Sequence, residues 1–249
     1  MRTVDWRHPQ AANPRSWVHF KVLGINDFHG QLEPRSLSGR PVGGAAVLAS
    51  YLEAAADAAP DGALLIHAGD QVGASPPVSA LLQDEPAIGL LNLLANRHCS
   101  YRFKLHPLCN VVGTLGNHEF DEGSAELLRL LDGGNHENGP FQEDPWRGAR
   151  YPTVSANVVW TDSGEPLLPR SVVKRVRGLP VAVIGAVLRE TPTIVTPSGV
   201  AGLEFLDEAE AINAEVERLR RQGVRAIVVA LHQGTRQNPG AQHPLPPFS

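Results

Sequence analysis

An α/β fold is predicted by three features of this 249-residue sequence: four short apolar runs with strand character, helical stretches between them, and a polar, chemically capable side chain directly after each run. The runs are Trp17 to Ile25, Ala63 to Ala68, Val111 to Leu115 and Ala226 to Leu231, stopped by Asn26, Gly69, Gly116 and His232 respectively. Gly44 to Ala59, rich in alanine and leucine, suits a helix. Asp207 to Gln222 suits another, with Ile212, Val216 and Leu219 spaced three or four apart and Gly223 as a stop. Strands alternating with helices predict a mostly parallel sheet.

In such a sheet the loops beyond the carboxyl ends of the strands converge, and ligands bind there. The segments that follow the four runs are Asp27-Phe28-His29, Asp70, Asn117-His118-Glu119 and His232-Gln233-Gly234. Asp27 and His29 are two apart, so at a strand end both can leave on the same side and hold one divalent cation through oxygen and nitrogen. Asp70 has two carboxylate oxygens and can bridge two cations, while Asn117 and His232 offer a neutral carbonyl and an imidazole to the second. Two ions about 3.5–4 Å apart lower the pKa of a shared water and stabilise both oxygens of an in-line displacement at phosphorus. Taken singly, Asp27, Asp70 and Asn117 read as turn formers beside glycine; the joint pattern across four segments favours a metal centre.

Asn26-Asp27-Phe28-His29-Gly30, Gly69-Asp70, Gly116-Asn117-His118-Glu119-Phe120-Asp121 and Ser155-Ala156-Asn157-Val158 together resemble the calcineurin-like metallophosphoesterases, in their 5′-nucleotidase branch. Gly73-Ala74-Ser75-Pro76-Pro77 through Asp84-Glu85-Pro86, Ile184-Gly185-Ala186-Val187 and Glu190-Thr191-Pro192 resemble the same branch, so the likeness runs from about Val18 to Gly234. It implies a layered metallophosphoesterase-type fold, a β-sheet core flanked by helices. It also implies two divalent ions of the Mn, Zn, Mg or Co class, with Asp27, His29 and Asp70 around the first and Asp70, Asn117 and His232 around the second. His118, paired with Asp121, would then be catalytic, stabilising the phosphoryl group or protonating the leaving alkoxide.

The family's downstream Gly-His-x-His segment has no match after Gly234; His243 in Gln242-His243-Pro244 has neither the glycine nor a second histidine. The sequence therefore reads as residues 1–16 a tail, 17–235 a catalytic domain lacking its last motif, and 236–249 a proline-rich, disordered tail. The expected function is hydrolysis of phosphate monoesters, 5′-nucleotides by resemblance, impaired by the missing motif. The alternatives are an inactive remnant that binds a metal or a partner, and a cyclic-nucleotide phosphodiesterase.

A composition of 42% hydrophobic and 19% charged residues suits a globular domain, and the net charge of −4 gives no overall basic footprint, so no nucleic-acid partner is expected. No apolar run reaches membrane-spanning length, and Met1 to Ser16 lacks a signal-peptide core, which reads as cytoplasmic as written although relatives of the branch are exported. Cys99 and Cys109 are compatible with one disulfide or two thiols. The loop from Asn96 to Asn110 reads as a surface insertion rather than a zinc site, because it lacks Cys-x-x-Cys pairs; Asp132 to Tyr151 reads as a second long loop. His19 and His67 read as structural, and Asn157 as an Asx turn or a substrate contact.

Overall fold

The computed structural model describes residues 17–234, so the tails expected at 1–16 and 236–249, with His243, lie outside the described residues. In chain order the elements are β1 (Lys21–Ile25), β2 (Arg35–Leu37), β3 (Arg40–Val42), α1 (Ala45–Asp57), β4 (Ala63–Ala68), α2 (Pro77–Ala80), α3 (Glu85–Leu94), β5 (Val111–Thr114), α4 (Ser124–Asp132), β6 (Val158–Trp160), β7 (Ser171–Val176), β8 (Leu179–Val187), β9 (Leu203–Phe205), α5 (Glu208–Arg221) and β10 (Ala226–His232).

The strands form two three-stranded sheets rather than one, in the orders β1-β4-β5 and β10-β8-β7, with two small two-stranded sheets besides. The first sheet is wholly parallel. In the second, β10 runs parallel to β8, but β7 is antiparallel to it, which corrects the expectation of a mostly parallel sheet there. The reason is local: Arg177 and Gly178, at φ 47° and 85°, make the two-residue turn with both positions at positive φ that joins antiparallel strands.

The alternation of β-strand side chains builds the layers. On β4, Leu64 and Ile66 face the second sheet, where they meet Val176, Val181 and Val183, while Leu65 packs with Ile88, Leu91 and Leu127 of α3 and α4. On β8, Val181 and Val183 face the first sheet, and Ala182 and Ile184 face Leu219 of α5. The result is helix, sheet, sheet, helix. Strands β4, β5 and β8 are buried on both faces, which is why they read as continuous apolar runs, while β1 and β10 leave Val22, Val229 and Leu231 exposed. Each Val or Leu fully buried there contributes about 1.5–3 kcal/mol.

Helix α5 follows its sequence signals closely: the Asp207 carboxylate accepts from the Glu210 N–H at 3.0 Å, acids occupy the first turn, and Arg218, Arg220 and Arg221 the last. The first run gives a shorter strand than expected, because residues 17–20 precede the pairing of Lys21 with Ala63, and His19 lies exposed there.

The Asn96 to Asn110 segment is more than a surface insertion. Cys99 and Cys109 form a disulfide and are fully buried, and the segment lies against β7, where the Lys174 ammonium donates to the His106 carbonyl at 3.2 Å. Lys174 is itself fully buried, in a row with Val172 and Val176, and desolvation lowers its pKa to about 8. Between pH 8 and the unfolded value of 10.5 the unfolded chain keeps a proton that the native state has released, so stability rises with pH across that window. Below pH 8 the full penalty, about 3 kcal/mol, is present. Because the His106 carbonyl also accepts from the Cys109 N–H, Lys174→Met orphans nothing. It is expected to raise Tm at pH 7 and to flatten the pH 8–10.5 rise; a lower Tm throughout, followed by circular dichroism, would count against this account.

Candidate metal centre

All four segments that follow the apolar runs converge beyond the carboxyl ends of β1, β4, β5 and β10. Parallel pairing continues past the strands: the Asp27 N–H donates to the Gly69 carbonyl at 3.1 Å, His29 N–H to Asp70 O at 3.0 Å, and Gly30 N–H to Gln71 O at 3.2 Å. These bonds hold Asp27, His29 and Asp70 at φ 51°, 47° and 52°. The left-handed region costs a non-glycine residue on the order of 1–2 kcal/mol each, so the rim stores strain where the charged side chains meet. Gly69 and Gly116 allow the β4 and β5 turns to touch: a Cβ on Gly69 would strike the Gly116 backbone, and one on Gly116 would strike the Asp70 carboxylate.

Asp70 is central. It is 3% exposed, and its Oδ2 lies 3.2 Å from His232 Nε2 and 3.6 Å from His29 Nε2, while Oδ1 accepts from the His118 backbone N–H at 2.9 Å. His29 Nε2 is also 4.0 Å from Asp27 Oδ1. Ligands about 2.0–2.2 Å from one ion stand roughly 3–3.5 Å from each other, so the 3.2 Å separation matches the edge of a coordination shell and those of 3.6 and 4.0 Å are slightly wider. The outer nitrogens agree: His29 Nδ1 bonds the Gly73 carbonyl at 2.9 Å and His232 Nδ1 the Ala68 carbonyl at 2.8 Å. A carbonyl can only accept, so each Nδ1 carries hydrogen and Nε2 can offer its lone pair inward. Burial opposes protonation of His232, but its hydrogen bond and charge interaction with Asp70 outweigh that and raise its pKa to about 9; a cation taking Nε2 competes with that proton.

Ligand atoms of Asp27, Asp70 and His232 lie within 4.8 Å of one another, as do those of His29, Asp70 and His118. Asp27 and His29, which the sequence sets around one ion, also stand near each other, with Asp70 beside His29. Asn117 is half-buried at the start of a short 3-10 turn, next to His118.

His118 differs from His29 and His232 in its outer partner. Its Nδ1 meets the Asp121 carboxylate at 2.7 Å rather than a carbonyl. Burial lowers its pKa, yet the hydrogen bond and charge of Asp121, with Asp70 and Glu119, raise it on balance. A carboxylate at Nδ1, where His29 and His232 have a carbonyl, suits His118 to proton donation. It lies edge-on to the His29 ring at 5.0 Å and lines a cleft of about 120 Å³ with Gly73, Ser75, Asp121 and Glu122.

Glu119 is the residue that sequence reasoning missed. Its carboxylate accepts from the backbone N–H groups of Asp70 (2.9 Å), Gln71 (2.8 Å) and Gly116, tying the β4 turn to the β5 turn. Burial and the Asp70 charge push its pKa up to about 7, against the pull of those donors. Leaving buried N–H groups of this kind unpaired costs about 1–3 kcal/mol apiece. The one signal in the sequence is an acid wedged between His118 and Phe120, and Phe120 is fully buried.

Asn157 resolves as structural: its amide donates to Val187 O at 2.7 Å and Leu206 O at 3.1 Å and accepts from Val187 N–H at 3.0 Å. His67 is buried among Gly113, Thr153 and Tyr151, and desolvation lowers its pKa to about 3.

A family model described as calcineurin-like phosphoesterase matches residues 20–247. The chain belongs to that family. Among curated relatives, Endonuclease YhcR of Bacillus subtilis is 39% identical over 236 residues, 92% of this chain and 18% of that protein. Cell wall protein Lmo0130 of Listeria monocytogenes is 44% identical over 230 residues, 86% of this chain and 27% of that protein. Among solved structures, a 5′-nucleotidase precursor from Thermus thermophilus superposes with a TM-score of 0.59 at 28% identity, covering 85% of this chain and 36% of that one. The calcineurin-like phosphoesterase chain thus spans well under half the length of each, and the α/β layered fold is the one its family predicts. The family normally binds divalent metals, and the two residue groups above are where such ions could be held. Among the described residues no helix is long and apolar enough to cross a membrane.

Proposed function

We propose that the chain hydrolyses phosphate monoesters, 5′-nucleotides among them, with two divalent ions of the Mn, Zn, Mg or Co class held by Asp27, His29, Asp70, Asn117 and His232. The observation that carries this reading is Asp70 Oδ2 standing between two Nε2 atoms at 3.2 and 3.6 Å, beside the His118–Asp121 pair. When bound, the ions supply Lewis acidity and a water of lowered pKa. The chain's own groups do the rest. Backbone carbonyls orient the imidazoles of His29 and His232, Glu119 sets the Asp70 turn, and Asp121 keeps a proton on His118 for the departing alkoxide.

A second reading, hydrolysis of a phosphodiester, is supported by the relative named as an endonuclease. The deciding experiment loads the purified protein with Mn²⁺ or Zn²⁺, counts ions by mass spectrometry, and compares AMP, p-nitrophenyl phosphate, bis(p-nitrophenyl) phosphate and cyclic AMP. Near two ions per chain with monoester preference is the expected result. Diester preference would replace the reading with a phosphodiesterase, and metal without turnover would indicate an inactive binding domain. The place of work we infer is outside the cytoplasm, on the Cys99–Cys109 disulfide and the cell-wall relative.

A further inference from the structure

At the other end of β5 from the metal-ligand rim lies an open groove of about 910 Å³ between the segments 97–102, 132–134 and 145–150. Its walls carry Arg97, Arg102, Arg147 and Arg150 against a single acid, Asp132, whose carboxylate is already taken by Lys104 at 2.8 Å. This is a concentrated positive field on a chain whose net charge is −4. Arg129, Arg177, Arg189 and Arg218 each have an acid within salt-bridge distance; of the arginines that have none, Arg97, Arg102, Arg147 and Arg150 line one groove together. Among the described residues the four groove arginines have no acid within salt-bridge distance, and Arg97, Arg102 and Arg147 are exposed.

Two features make the groove a built surface instead of loose charge. Arg150 is fixed from below, donating to Asn92 O at 3.1 Å and Cys99 O at 3.0 Å, and the disulfide anchors that second carbonyl. The Arg147 guanidinium lies over the Tyr101 ring at 4.1 Å, which makes a flat platform of the kind on which an unpaired base stacks. Guanidinium planes spread over separate segments suit several phosphates in a row better than one. Gly134 leaves the wall open, with nothing within 4 Å of where a Cβ would stand.

From this arrangement we infer that the groove binds a single-stranded nucleic-acid segment, phosphates on the arginines and a base on the Tyr101–Arg147 platform. A duplex keeps its bases stacked internally and cannot use the platform.

The test measures fluorescence anisotropy of a labelled 12-mer single strand with the full chain in EDTA, over a salt series. Binding should weaken with salt with a log–log slope of about −1.4 to −2.1, the release expected for two or three phosphates. Arg102→Ala/Arg147→Ala should lose about tenfold or more in affinity and flatten the slope, while hydrolysis of p-nitrophenyl phosphate by the metal-loaded protein stays at the wild-type level. Asp70→Ala should bind the strand like the wild type, which separates this site from the proposed hydrolase. No binding at 50 mM salt, unchanged affinity in the double variant, or equal binding of the matched duplex or of polyglutamate would overturn the assignment.

Discussion

Asp70→Ala is expected to reduce the bound divalent metal from near two ions per chain to near none, and to abolish phosphatase turnover with it. The geometry sets the size of the effect. One carboxylate stands between the imidazoles of His29 and His232, at 3.6 and 3.2 Å, and the same side chain accepts the His118 N–H through Oδ1. Removing it leaves His29 and His232 facing one another with no anion between them, so neither position retains more than part of its shell. Several kcal/mol of transition-state stabilisation leave with the ions, a loss on the order of a thousandfold or more in rate. Asp70→Asn separates charge from placement: an amide oxygen can still accept from His118, but the negative charge is gone. Metal analysis of both variants checks the bridge, and full metal content in the alanine variant would dispose of it.

His118→Ala should behave in the opposite way, keeping the metal and losing turnover. Its Nδ1 is committed to Asp121, which raises its pKa, so its worth lies in proton donation, about a hundredfold or more for a general acid of this kind. The distinguishing readout is the leaving group. A nucleoside alkoxide needs a proton, whereas p-nitrophenolate departs without one, so the variant should lose far more activity on AMP than on p-nitrophenyl phosphate. An equal loss on both substrates, with metal unchanged, would make His118 a charge or shape element; equal activity would make it structural.

Much of the architecture near the rim was legible from the sequence because local chemistry and global role coincide there. Ala63–Ala68 and Ala226–His232 are apolar runs that end where a ligand-type residue begins, and the Asp207 cap with its acidic first turn announces α5. Other parts were silent for physical reasons. Helix α3 contains Pro86 and Gly89 and is apolar on most sides, so it carries no clean helical stripe. Strands β2, β3, β6 and β9 are three residues each, shorter than any periodicity. Nothing in a run of valines says which sheet it joins, so the split into two sheets waited on pairing. Glu119 was invisible because its meaning lies in three backbone donors brought from two different turns.

The Cys99–Cys109 link has a practical corollary. The stretch it closes lends one main-chain oxygen to Arg150, at Cys99, and another to Lys174, at His106, so a basic wall and a buried ammonium both lean on the same tether. Material prepared in the presence of strong thiol reductants would carry that stretch unfastened, while the rim around Asp70 at the far end of β5 keeps its own ties through Glu119. The two ends of one strand would then report independently on how the preparation was handled.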